Sequence, residues 1–255
     1  MIGHEVDQRG KTLSAQLVAL VLFLALWEWV STAKIIEPLF IGRPSGIAKY
    51  LYTALINGTI LTEAAWTLGA TLSAFALGSF FGIAFGLLFA VFPSAEKFFE
   101  PFFSAFNALP RVALAPLFLL WFGLGVGSKI ALGLSLTFFI VLANTIAGAR
   151  SVDRDFLILS QTLGASKSKI FFKVTLMSAI PTIFSGLKLG LIYALLGVIA
   201  GEIIASQHGL GQMLTFLAGT FDTNGVFGVL VLLGLIGVIL TNIMTMLERR
   251  LLRWR

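Results

Sequence analysis

The chain has 255 residues, of which 58% are hydrophobic and only 12% charged, with a mean hydropathy of +0.97. A soluble domain of this length is excluded, and the composition is that of an integral membrane protein. Eighteen Lys and Arg against 12 Asp and Glu leave a net charge of +6, read first as a topology signal, while the absence of cysteine excludes disulfides, thiolate metal sites and a cysteine nucleophile.

A bilayer core of about 30 Å needs roughly 20 apolar residues per helix, and backbone groups in lipid must be satisfied internally. No barrel-like alternation is seen, so helices are expected. Charge-free runs cover residues 12–27, 64–95, 112–128, 130–149, 174–187 continuing past Lys188 to 201, and 223–247. Six helices follow. The first is preceded by Arg9 and Lys11 in the manner of a secretory signal, but is expected to be retained as a span. The third is placed at about residues 98–122, kinked by Pro101, Pro110 and Pro116.

Basic residues set the orientation, because loops rich in Lys and Arg stay cytoplasmic. With the amino terminus inside, the inner segments hold Arg9, Lys11, Lys97, Arg150, Arg154, Lys167, Lys169, Lys173, Arg249, Arg250, Arg253 and Arg255. The outer segments hold Lys34, Arg43, Lys49 and Lys129. Twelve against four puts both termini inside and the loops at 31–63 and 202–224 outside. Arg111 and Lys188 fall within spans.

One polar island, residues 150–173, separates the fourth and fifth spans and therefore faces the cytoplasm. Phe156, Leu159, Ser160 and Leu163 recur at helical spacing, with Asp153 or Asp155 available as an N-cap. Gly164 permits a positive φ where this helix ends, and Ser166 or Ser168 can cap a second helix through Ile170, Phe171 and Val174. On composition alone the island is equally a retention loop whose lysines enforce topology.

Small residues mark close helix packing. Ala70, Ala74, Gly78, Gly82, Gly86 and Ala90 recur every four residues, a small-xxx-small stripe. In the fifth span Gly186, Gly190, Gly197 and Gly201 share an arc with Tyr193 close beside it. That arc faces packing, a second protomer or a pathway, with Tyr193 and Asn144 as pathway candidates. Lys188 is long enough to snorkel to the inner face, and Glu28 lies close to the outer interface.

Thr162-Leu163-Gly164-Ala165-Ser166, followed by Phe171, Val174, Leu176, Pro181, Ile183, Gly186 and Leu187, resembles the cytoplasmic "EAA" signature of permease subunits of binding-protein-dependent ABC importers. Ser160, Leu159 and Ile158 replace its Ala, Ala and Glu, and Met177 stands where a proline is common. Trp27-Glu28, Pro44-Ser45, Pro101, Leu109-Pro110, Ala115-Pro116-Leu117, Trp121-Phe122-Gly123, Gly125, Ser128-Lys129, Glu202 and Gly209-Leu210-Gly211 are similar to the nitrate/sulfonate/taurine type.

The resemblance implies an all-α type I importer permease fold in a single transmembrane domain. Residues 1–33 form the tail and first span, 64–247 a five-helix core including the coupling loop 150–173, and 248–255 a basic cytoplasmic tail. It implies a homodimer in a bacterial cytoplasmic membrane, two ATP-binding cassette subunits, and a periplasmic or lipid-anchored binding protein that chooses the solute, such as nitrate, a sulfonate or taurine. Ser160, Leu163, Gly164, Ala165, Ser166 and Lys167 become the ATPase-coupling residues. Glu202, Gly209 and Gly211 become gate candidates, with Glu202 pairing across the gate or touching the binding protein, unless it is a plain interfacial carboxylate.

ATP hydrolysis needs a Gly-rich phosphate loop with Lys directly before Ser or Thr. The sequence Gly123-Leu124-Gly125-Val126-Gly127-Ser128-Lys129-Ile130 fails that pattern and is expected to be a turn beside the membrane. ATP and Mg are then bound by a partner, and this chain is expected to be no enzyme, to hold no metal or cofactor, and to bind no nucleic acid. A membrane enzyme would need a convergent polar constellation, and the histidines are only His4 and His208. A secondary transporter or a channel is the alternative, and neither calls for the stretch from Gly164 to Leu187.

Overall fold

A computed structural model describes residues 2–252, with side-chain surroundings from residue 14 onward. Arg253 and Arg255, and the side chains of Arg9 and Lys11, lie outside the described residues. In chain order the helices are α1 (Ile2–Thr32), α2 (Pro38–Ile41), α3 (Pro44–Ile56), α4 (Thr59–Val91) and α5 (Pro93–Ala108), then a 3-10 turn (Arg111–Leu114). After it come α6 (Ala115–Phe122), α7 (Val126–Arg150), α8 (Arg154–Thr162), α9 (Lys167–Ile170) and a π turn (Phe171–Thr175). The last three are α10 (Leu176–Ile204), α11 (Leu210–Gly219) and α12 (Thr223–Leu251). Among the described residues there is no strand, and five helices are long and apolar enough to cross a membrane, six with the bent pair α5 and α6.

The third span departs from the kinked helix expected at 98–122. It starts earlier, at Pro93, and is broken by an 87° bend between Pro93–Ala108 and Arg111–Phe122. Pro110 is the cause. Its ring disfavours helical geometry at the residue before it, and Leu109 is extended (φ −69°, ψ 134°). Pro101, by contrast, stays inside α5. The outer segment at 31–63 is also more ordered than a loop, since it holds α2 and α3, and the segment at 202–224 holds α11. The residues from 248 to Leu251 prolong α12 instead of starting a separate tail.

Two compact units can be distinguished, one of residues 1–60 and 214–232, the other of 61–213 and 233–255. In the first, Glu28 of α1 caps α3. Its carboxylate accepts from the Ser45 amide (3.0 Å) and the Ser45 hydroxyl (2.7 Å), meeting the positive end of that helix. Buried Ser31 donates to the Gly42 carbonyl at 2.7 Å, and Trp27 to that of Ile41 at 3.2 Å. The Asn224 side chain accepts from the Arg43 amide at 2.8 Å, and the Trp27 ring meets Phe227 edge-on at 5.4 Å.

The second unit is built on α4, α7 and α10. Ala70, Ala74, Ala194 and Val198 form its buried centre, with Phe75 and Ile130 packed against them. Glycine makes the close approach there. A Cβ on Gly133 would stand 2.9 Å from the Ala74 Cβ and 3.0 Å from the Ala194 carbonyl oxygen, and one on Gly197 would stand 2.7 Å from the Gly133 Cα. The α4 stripe meets α7 threonines: a Cβ on Gly78 falls 2.7 Å from the Thr137 Cβ, and one on Gly86 falls 2.6 Å from that of Thr145. Thr137, fully buried, has its hydroxyl within bonding distance of the Gly133 carbonyl (2.9 Å) and, across the seam, that of Gly190 (3.0 Å).

Candidate functional site

The island begins at Arg150, the last residue of α7, and α8 starts four residues later. Ser151 closes α7 with its amide and hydroxyl on the Gly148 carbonyl, and Asp153 caps α8 by accepting from the Asp155 amide at 3.0 Å. At the other end of α8 the Gly164 amide bonds the Gln161 carbonyl (2.9 Å) and the Ala165 amide the Ser160 carbonyl (3.0 Å). With Gly164 at φ +73°, this is a Schellman cap. Ser166 then accepts from the Lys169 amide at 3.4 Å to start α9. Of the six coupling candidates, Ser160, Gly164 and Ala165 thus build the corner, and Ser166 opens the next helix.

Leu163 and Lys167 stand out from that corner. Leu163 is 76% exposed, and Phe156 on the same helix 61%; α8 buries none of its residues. From Lys167 to Ile204 the chain runs helical without a stop, through the π turn, so α9 is continuous with α10. At the start of the fourth-span exit, Arg150 forms an ion pair with Glu96 of α5.

The gate candidates converge at the far end of α10. Glu202 is 3% exposed, buried within the chain. A buried carboxylate needs donors. It takes them from the Thr67 hydroxyl (2.9 and 3.0 Å) and the Gly211 amide (2.8 Å) of its own chain. Gly209 (φ +111°) gives its amide to Glu63, and a Cβ on it would fall 2.2 Å from Glu202. His208 stacks on Trp66 at 5.2 Å and lies 3.5 Å from the Glu63 carboxylate. A cavity of about 280 Å³ is lined by Trp66, Lys129, Glu202 and His208 among others.

Asn144 and Tyr193 are elsewhere. The Asn144 amide donates to the Ile140 carbonyl of its own helix at 2.9 Å, and its Cβ would be 2.5 Å from a Cβ on Gly186. It is therefore a packing residue of the α7–α10 seam, as are Gly190, Gly197 and Gly201, whose added Cβ atoms would meet Val141, Gly133 and Lys129. Tyr193, on the same helix, is 41% exposed.

Thr67 and Glu63, which the sequence analysis did not single out, belong to this cluster, and so does Lys129. Lys129, counted as a loop charge, is 2% exposed and donates to the Leu124 carbonyl and, at 2.9 Å, to that of Gly125. It ties down the turn between α6 and α7. Its position directly after Gly123–Ser128 was the available signal, as was the hydroxyl of Thr67 within an apolar run. Lys188, expected to snorkel toward the inner face, pairs with Glu248 of α12.

A helical membrane protein with a broken third span, a capped polar corner between its fourth and fifth spans and a buried carboxylate cluster at the far end of the fifth has the architecture of an ABC importer permease. The chain belongs to the family of binding-protein-dependent transport system inner membrane components, whose model matches residues 78–253. It is 32% identical to a riboflavin transport system permease protein of Chloroflexus aurantiacus, over 93% of this chain and 88% of that one. It is 29% identical to the taurine transport system permease protein of Escherichia coli, over 96% and 91%. A solved structure of a methionine ABC transporter in inward-facing conformation shares the fold, with a TM-score of 0.64 at 20% identity over 76% of this chain and 94% of that one.

Proposed function

We propose that this permease works as a homodimer in a bacterial cytoplasmic membrane with both termini inside, passing a small organic solute or anion of the nitrate, sulfonate or taurine kind. A periplasmic or lipid-anchored binding protein delivers the solute. Two partner ATPase subunits bind ATP and Mg and hydrolyse the nucleotide, and this chain supplies the path. Relatives named for riboflavin and taurine support a solute of this size.

The observation that carries the reading is the exposed corner of the island, with Leu163 at its tip, joined without a break to the fifth span. Leu163 and Lys167 make the ATPase contact, while Ser160, Gly164, Ala165 and Ser166 hold its shape. Closure of the ATPases displaces the corner, and α10 tilts with it as a rigid body. Glu202, Gly209 and Gly211 keep the outer end of α10 closed around Thr67, and Tyr193 borders the path.

Co-expression with the ATPase subunits tests this. Leu163→Asp is expected to abolish co-purification and ATP hydrolysis by the complex while the permease still elutes as a folded membrane protein. Undiminished co-purification would overturn the assignment of the corner.

A further inference from the structure

α5 carries a polar stripe along the inner half of the third span. Glu96, Glu100, Ser104 and Asn107 lie within an arc of about 80° on the helix, with Phe98, Phe102, Ala105 and Phe106 on the opposite side. The helix climbs along α7 and does not lie flat on the membrane surface. At its start Glu96 pairs with Arg150, the last residue of α7. About two turns on, the Phe103 ring meets that of Phe139 at 5.9 Å, and beyond the end of α5 the Arg111 guanidinium reaches the Ser135 carbonyl at 3.4 Å. Measured along α7, Phe139 and Ser135 lie about 17 and 22 Å from Arg150.

This stripe is not covered by its own chain. α5 buries none of its residues, and Glu100, Ser104 and Asn107 are exposed. Arg150 neutralises Glu96, and Asn107 accepts from Arg111. Among the described residues neither Glu100 nor Ser104 has a hydrogen-bond or ion-pair partner. The same face opens on a cavity of about 180 Å³, lined by Glu100, Ser104 and Asn107 on one side and by Leu142, Ala143 and Ile146 of α7 on the other. Ile146 and Leu142 lie about 6 and 12 Å along α7 from Arg150, so the cavity is at membrane depth. Lipid cannot solvate an unpaired carboxylate there. A twofold contact of this face with itself would set Glu100 against Glu100, and facing carboxylates repel. Water is the remaining neighbour.

We propose that Glu100, Ser104 and Asn107 line the inner half of the solute path, with Glu100 as the residue that sets its charge preference. The proposal rests on the reading of the chain as an importer permease with both termini inside. An ionised carboxylate only accepts hydrogen bonds, so Glu100 favours a solute that brings an ammonium or N–H group to it and slows one that is anionic throughout.

The chain has no cysteine of its own, so single cysteines report which side chains meet water. The permease assembled with its ATPase subunits in phosphatidylcholine nanodiscs is treated with a cationic trimethylammonium-ethyl or an anionic sulfonatoethyl methanethiosulfonate. Ser104→Cys, nearly isosteric, should react with the cationic reagent at least about tenfold faster than Phe102→Cys on the opposite side, because lipid excludes the charge. Its labelling should fall when ATP and vanadate arrest the complex with its inner side closed. Adding Glu100→Gln should slow the cationic reagent and speed the anionic one by about threefold each, the scale of a unit charge one helical turn away in water. Phe102→Cys reacting as fast as Ser104→Cys, or labelling indifferent to the arrest, would overturn the path face; rates unmoved by Glu100→Gln would overturn the charge preference. If Glu100→Gln does not fold, the preference for the cationic over the anionic reagent at Ser104→Cys, relative to free cysteine, decides the matter. ATP hydrolysis is measured in parallel: hydrolysis with an unreactive Ser104→Cys sinks the stripe and leaves the permease reading standing, and a reactive Ser104→Cys in a chain that never assembles with the ATPases does the reverse.

Discussion

The Thr67 hydroxyl donates to the Glu202 carboxylate at 2.9 Å and accepts from the Leu210 amide at 2.8 Å, joining α4, the end of α10 and the start of α11 at one oxygen atom. Both side chains are buried, so neither has water to fall back on. Thr67→Val keeps the shape and leaves the Leu210 amide and one side of Glu202 unsatisfied, a loss of about 1–3 kcal/mol. Thr67→Ser is expected to stay close to the native protein. Thermal unfolding in nanodiscs separates the two, and equal midpoints would count against the latch.

Two glycines close the same latch. A Cβ on Gly211 would stand 2.7 Å from the Ile199 carbonyl oxygen, a backbone atom that has nowhere to move, and Gly209 combines φ +111° with contact on Glu202. Gly209→Ala and Gly211→Ala are both expected to destabilise by about 1–3 kcal/mol and to lower solute uptake, as overpacking does. Uptake into cells carrying each variant, normalised to membrane content, checks the outcome.

Along the helix seam, Gly197→Ala sets a methyl 2.7 Å from the Gly133 Cα and forces α7 and α10 apart. A cost of about 1–3 kcal/mol is expected. Gly69→Ala meets nothing within 4 Å in the same chain and should be neutral or slightly stabilising, since alanine is the better helix former. Thermal midpoints of the two variants should differ clearly; similar values would argue against backbone contact as the reason for the glycine.

Lys188 and Glu248 pair where α10 meets α12, each partly shielded. Lys188→Met or Glu248→Gln alone strands one charge, whereas the double variant strands none. A double-mutant cycle should give a coupling of about 1 kcal/mol. A value indistinguishable from zero would mean that the pair is incidental.

At the coupling corner Gly164 has φ +73° and open space where a Cβ would go. Gly164→Asn tolerates this backbone and Gly164→Val does not, at a cost of about 1–2 kcal/mol. If the corner seats against the ATPase, both should reduce stimulation of ATP hydrolysis by the binding protein, even though only the valine lowers stability. Full stimulation in the asparagine variant would show that no partner approaches Gly164 closely.

Much of the corner was readable because it is local. Asp153 and Ser166 accept from amides, and Gly164 donates to a carbonyl, all within three residues of themselves, so their chemistry implies their places. The latch was not readable, because the carboxylate of Glu202 and the hydroxyl of Thr67 are 135 residues apart and nothing in either neighbourhood names the other. Separation in sequence likewise hid the Lys188 pair with Glu248 and the close fit of Asn144 against Gly186.

The sequence by itself determined that the chain is a membrane protein with six apolar segments, that residues 150–173 interrupt them with a capped helical corner, and that Pro110 disturbs the third span. Composition, period and local capping are properties of neighbouring residues. Only the tertiary structure decided that the third span breaks through 87°, that the glycines of α10 face α7, and that Glu202, Lys129 and Arg111 are buried. A polar side chain in an apolar run declares only that burying it is costly; which distant hydroxyl, carbonyl or ring offsets that cost depends on which helices come together.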